Sequence, residues 1–167
     1  MTNTRTVSRG GRIRDVVGAL ARWVLAVVFL VSGAIKAGDA RETIVAVRAY
    51  QLLPESMVTA VAAVLPYFEI ALGLLLLVGL ATRLAAVLAA VVMVTFIAAV
   101  ASAAARGLSI DCGCFGGGGQ VAAGQTAYTT EILRDVGLLA LAVYLVIRPD
   151  TPLSVDRLVR RRASDPA

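Results

Sequence analysis

Four apolar runs, each close to the length of a bilayer crossing, constrain this 167-residue chain more than any other feature. A helix needs about 20 predominantly apolar residues to cross the hydrocarbon core. The first run extends from about Val16 to Ala37, with Arg22 inside it and Lys36 at its close. The second, Met57 to Leu80, contains Pro66 and Glu69, and the third, Leu84 to Ala105, is uncharged. The fourth, Tyr128 to Ile147, carries Arg134 and Asp135 near its start. A spanning barrel would need alternation of polar and apolar residues. These runs are apolar on every side, so the chain is expected to be an all-α membrane protein, a four-transmembrane-helix bundle. Residues 16–147 would form that domain, between basic tails at 1–15 and 148–167.

Composition agrees. Hydrophobic residues make up 59% of the chain, more than a soluble domain of this size requires. The 16 basic and 11 acidic residues lie at the termini and between the apolar runs. The net charge of +5 therefore describes tails and loops rather than a nucleic-acid-binding face. The basic leader (Arg5, Arg9, Arg12, Arg14) and the small residues Ser32, Gly33 and Ala34 give the first run the look of a secretory signal. Three more runs follow it, so it reads as a retained anchor.

Arginine placement orients the bundle. Four spans put both termini on one side, together with Arg83 and with Arg148, Arg157, Arg160, Arg161 and Arg162. The opposite loops hold Lys36, Arg41, Arg48 and Arg106, offset by Asp39, Glu42, Glu55, Asp111 and Glu131. Both termini are expected in the cytoplasm of a bacterial cell, with the protein multi-pass in its inner membrane; Lys36 as the single lysine fits a GC-rich genome. In the first outward loop, Ile44 to Leu53 reads as a short amphipathic helix at the interface, ended by Pro54. The tight turn Gly79 to Arg83 makes the second and third spans antiparallel neighbours. In the third, Ala85/Ala89, Ala86/Ala90 and Ala98/Ser102 have the spacing of close helix contacts, though alanine is common throughout.

The second outward loop holds the two cysteines of the chain, Cys112 and Cys114, in Asp111-Cys112-Gly113-Cys114-Phe115-Gly116, before a glycine run. An extracytoplasmic position is oxidising. A bridge from i to i+2 closes a small ring outside relaxed disulfide geometry, and strained disulfides are the labile, more oxidising ones. Such a bridge does little as a staple, because short loops lose little unfolded-state entropy. The pair therefore reads as a dithiol for thiol–disulfide exchange; the alternatives are a static staple, idle thiols or a copper(I) pair. The chain has no histidine, so haem, copper and non-haem iron centres built on imidazole are excluded. Two thiols cannot complete a zinc site. No metal and no intrinsic cofactor are expected.

Glu69 is an intramembrane carboxylate and a functional candidate by default. It relays a proton to a thiol, or it pairs with Lys36, Arg22 or Arg134. Arg22 reads best as a side chain that snorkels to the interface. Arg134 is the candidate cation for raising the thiolate fraction of the loop, or else an interfacial anchor. Asp111 would act oppositely on Cys112, which favours Cys114 as the more reactive thiol. Pro66 is expected to kink the second span near Glu69.

These residues resemble the MauE family of methylamine utilisation, within the DoxX-like group of four-span membrane proteins. The matching pieces are Ser32-Gly33-Ala34-Ile35-Lys36, Tyr50-Gln51-Leu52-Leu53-Pro54, Pro66-Tyr67-Phe68-Glu69 with Gly73, the Asp111 to Gly116 run, and Arg134. They cover about Trp23 to Ile147. The resemblance implies a membrane redox factor that supports disulfide formation or maturation of exported proteins, acting with a thioredoxin-fold partner. In methylamine users the client is an amine dehydrogenase subunit. Quinone-linked disulfide generators are similar four-span bundles but use two cysteine pairs; a quinone is the cofactor that this comparison leaves open. The rival is a non-catalytic membrane scaffold that docks a partner and carries a structural disulfide.

Overall fold

Each apolar run becomes a helix. A computed structural model describes residues 9–113, 118–122, 126–157 and 159. Among these the chain forms α1 (Arg9–Gly38), α2 (Ala40–Ala49), α3 (Glu55–Val78), α4 (Thr82–Ala105), β1 (Ile110–Asp111), β2 (Gly119–Gln120) and α5 (Tyr128–Ile147). Among the described residues three helices are long and apolar enough to cross a membrane: α1 from Ile13, α3 and α4. The 20-residue α5 has the length, but Glu131, Arg134 and Asp135 occupy its first two turns. Large apolar side chains point outward along the helices, among them Val64, Leu84 and Val91, each more than half exposed. A surface of that kind belongs in lipid. Cys114, Phe115, Gly116, the leader around Arg5 and the distal Arg160 to Arg162 lie outside the described residues.

The tightest packing is α1 against α3 and α4 against α5. Two glycines explain the first contact. A Cβ at Gly33 would lie 2.7 Å from the Pro66 carbonyl oxygen, and one at Gly73 would lie 2.7 Å from Leu30 Cγ. Small residues let helix backbones approach where no hydrophobic drive operates between them. Ala85, Ala86 and Ala89 of α4 are fully buried with Ala142 and Leu145 of α5 in the central core, beside Leu25, Phe29, Leu72 and Leu76. Ala98, expected to share that stripe, is exposed. The helices α3 and α4 are consecutive, yet they pack far less against each other than against α1 and α5.

Two expectations need correction, the placement of Arg22 and the end of α2. Arg22 does not snorkel: it is fully buried. Its guanidinium donates to the Leu76 and Leu77 carbonyls at 3.0 and 3.2 Å, and to Leu153 and Pro152 at 3.1 and 3.4 Å. The carbonyls at the end of α3 lack helical partners, and Arg22 supplies them. The segment after α5 is likewise built in, for Asp156 accepts from the Ala81 and Thr82 amides at 2.8 Å each. It thereby caps α4, whose first amides are otherwise unpaired. The outward helix α2 ends at Ala49 rather than at Pro54, and Gln51 turns the chain with φ 51°. The helix α3 continues on both sides of Pro66, from Glu55 to Val78.

Candidate functional site

The close approach of α1 and α3 brings Lys36 and Glu69 together. Lys36 Nζ lies 2.7 Å from Glu69 Oε1 and 2.8 Å from Oε2, and donates to Ser32 Oγ at 2.7 Å. Ser32 Oγ donates in turn to Glu69 Oε2 at 3.3 Å. The Phe96 ring of α4 stands over the ammonium, 5.3 Å from its centroid, close enough for a cation–π contact. All three polar residues are buried. Of the cations that could have paired with Glu69, Lys36 takes the place; Arg22 and Arg134 serve elsewhere.

Cys112 lines the same cavity as Lys36, and it is buried. Val100, Phe96, Tyr50, Tyr128 and Ile132 surround it. Several contacts hold its loop. The β1–β2 ladder pairs Ile110 with Gln120 and Asp111 with Gly119. Tyr128 Oη accepts from the Ile110 amide at 3.2 Å and donates to the Leu108 carbonyl at 2.6 Å. Tyr50 Oη donates to the Cys112 carbonyl at 3.3 Å. Arg106 fixes the Tyr50 and Gln51 carbonyls in turn. Glycine here provides close approach as well as flexibility: a Cβ at Gly118, with φ 122°, would lie 2.6 Å from Ala46 Cβ of α2.

The thiol of Cys112 faces charged groups from α5. Arg134 Nη2 lies 3.8 Å from Cys112 Sγ, and its guanidinium also holds Asp135 Oδ1 at 3.0 Å. The Glu131 carboxylate lies within hydrogen-bonding reach of the Cys112 thiol and backbone amide. Asp111, Cys112 and Glu131 bring one ligand-type atom each to within 4.8 Å of one another. One thiol with two carboxylates is a mixed soft and hard donor set, which fits proton chemistry at the thiol as well as it fits a cation. From the sequence, Glu131 stands only as a loop counter-charge. Its spacing of three from Arg134 puts both on one helix face, and that signal could have found it.

Between the two clusters lies a gap of about 10 Å³, bordered by Ser32 and Glu69 on one side and Arg134 and Asp135 on the other. That is close to the lower limit for a single water. Among the described residues Glu131 Oε2 and Asp135 Oδ2 are buried acceptors with no hydrogen-bond partner. The structure thus brings Glu69, Cys112 and Arg134 into one region, with Ser32, Lys36, Glu131 and Asp135. Cys114 lies outside the described residues.

Fold and site together define a small multi-pass helical membrane protein with an ion pair buried beneath a cysteine loop. The chain belongs to the MauE family: residues 14–148 match the family described as methylamine utilisation protein MauE. A relative from Paracoccus denitrificans, the methylamine utilization protein MauE, is 36% identical over 135 residues. That match covers 80% of this chain and 69% of the relative. No solved structure matches the chain.

Proposed function

We propose that this chain is a four-span thiol–disulfide redox factor of the bacterial inner membrane, DoxX-like in architecture, serving exported proteins. The observation that carries the proposal is the setting of Cys112. Its thiol lies against a cation, Arg134, and a carboxylate, Glu131. A neighbouring cation favours the thiolate, the form that attacks and leaves in exchange. A carboxylate beside it can take or return the thiol proton. α5 is the fourth span, its charges gathered at the loop end and Val136 to Ile147 left apolar. Both termini are cytoplasmic, by the arginine distribution.

The reaction is disulfide transfer. A thiolate of a thioredoxin-fold partner attacks Cys114 in the Cys112–Cys114 disulfide, and Cys112 leaves as a thiolate beside Arg134. A second partner thiolate then displaces Cys114 from the mixed disulfide. The partner departs oxidised, and this chain holds two thiols, two electrons and two protons richer. Glu131 handles the proton at Cys112, and Arg134 stabilises the leaving thiolate. The Lys36–Glu69 pair and Asp135 form the charged base beneath. Family membership suggests methylamine utilisation as the setting and an amine dehydrogenase subunit as the client.

Cys112→Ser and Cys114→Ser test the proposal. One of them should trap a mixed disulfide with an exported protein of thioredoxin fold, visible by non-reducing electrophoresis and identified by mass. If neither variant holds such a protein under any redox condition, the proposal fails, and a scaffold role takes its place.

A further inference from the structure

The chain needs an oxidant to regain its disulfide, and the structure offers a place for one. A cavity of about 210 Å³ lies between α2, α3 and α4. Its wall includes Cys112 from the loop, Tyr50, Leu65 of α3, Phe96 and Ala99 of α4, and Lys36. Most of the remaining lining is apolar, with Glu42, Thr43 and Thr95 as its other polar residues. We propose that this cavity binds the ring of a membrane quinone, which accepts electrons from the Cys112/Cys114 dithiol. The proposal rests on the redox reading above.

Four observations point to this ligand class. First, the cavity lies where α3 and α4 pack weakly against each other. Leu65 and Ala99 on its wall are half-buried, and Thr95 beside them is exposed. It is therefore reached from the lipid-facing side. Second, its volume is below the roughly 300–1,000 Å³ of pockets that enclose a drug-sized ligand. It suits a compact ring whose tail remains in the bilayer. Third, aromatic rings border it at Phe96 and Tyr50, which suits stacking against a flat ring. Fourth, Cys112 and Gly113 share the wall, so a ring bound here would lie beside the residue that carries one of the two thiols. Lys36, paired with Glu69, and Thr43 supply hydrogen-bonding groups at the edge of the cavity.

The balance closes. Two thiols become one disulfide and release two electrons and two protons. The two quinone carbonyl oxygens take them up, giving the hydroquinone. No other oxidant is required, and Glu131 is placed to pass on the proton from Cys112.

The test uses the full chain in lipid nanodiscs, reduced and freed of reductant, with decylubiquinone as the probe. Quinone loss is followed by ultraviolet absorbance, and thiol loss by alkylation and mass. A photoreactive azidoquinone maps the site. We expect one quinone reduced for two thiols lost, with label on α3 and α4 peptides. Ala99→Trp and, separately, Leu65→Phe should lower the rate of quinone reduction at least tenfold relative to exchange with a soluble disulfide. Cys112→Ser should keep the label and lose the reduction. If the ratio of the two rates is unchanged in both cavity variants, or label falls elsewhere, the cavity assignment is wrong while the exchange reading stands. If neither quinone reduction nor exchange occurs in the unaltered chain, the redox reading itself falls, and this inference with it.

Discussion

Replacing Glu69 by leucine would leave the Lys36 ammonium buried without its carboxylate. Lys36 is 8% exposed and Glu69 fully buried, so water cannot replace the lost partner. The ammonium would keep only Ser32 Oγ, at 2.7 Å, and the face of Phe96. Breaking a buried pair by removing one partner costs about 3–5 kcal/mol, whereas exchanging both partners for apolar residues is often neutral or stabilising. Glu69→Leu should therefore lower the folded-to-unfolded ratio by about two to three and a half decades, at roughly 1.4 kcal/mol per decade. Lys36→Met with Glu69→Leu should recover most of that loss, a coupling of about 2 kcal/mol or more. Reversible unfolding in mixed micelles, followed by circular dichroism, measures all four corners of the cycle. A harmless single variant would refute the buried-pair reasoning, and so would a double variant as unstable as the single. The double variant also separates two roles: if it folds but exchanges disulfides slowly, the pair serves the chemistry as well as the fold.

Further predictions concern the glycine contact, the buried arginine and the thiol. Gly33→Ala pushes a methyl against the Pro66 carbonyl, where a Cβ would sit at 2.7 Å, and overpacking of this kind costs about 1–3 kcal/mol. Gly38→Ala, whose Cβ would meet nothing within 4 Å, should shift the same unfolding midpoint little, within about 0.5 kcal/mol. Arg22→Met strips donors from buried carbonyls, at about 1–3 kcal/mol, and should expose the chain near Arg157 to limited proteolysis; an unchanged digestion pattern would contradict the role given to Arg22. Arg134→Met in a Cys114→Ser background removes the cation beside Cys112. The thiolate is then less favoured, so the alkylation profile should move to higher pH. Asp135→Asn frees Arg134 of its neighbour's negative charge and should move the profile the opposite way.

The helices were legible because bilayer crossing requires long apolar runs, and α5 matches its run from Tyr128 to Ile147. Arg22 was misread for a physical reason. A lone arginine in an apolar run looks the same whether it reaches water or the open carbonyls at a helix end. Here those carbonyls belong to α3, ahead of the left-handed Gly79 at φ 72°, and to a segment more than a hundred residues away. The partner of Glu69 was one of three cations in the sequence; the choice of Lys36 comes from Gly33 and Gly73, which set the distance between two helix backbones. Arg134 could be named from its charge and its place after the cysteine loop. Spacing places Glu131 on the helix face of Arg134, but its contact with Cys112 depends on how the β1–β2 ladder and Tyr128 fold the loop back onto α5. The burial of Cys112 has the same origin.

The central claim is that Cys112 and Cys114 form a two-electron couple suited to disulfide transfer. Equilibrating the purified chain in a series of glutathione redox buffers, then trapping thiols and weighing the protein, measures this directly. A two-electron couple would form a single intramolecular disulfide that gains or loses two electrons together, with a tenfold change in ratio for about 30 mV. Its potential should be more oxidising than the roughly −300 mV below which structural disulfides typically lie. A pair that stays oxidised in strongly reducing buffer would make it a staple. A pair that never forms a disulfide in any buffer would contradict the account.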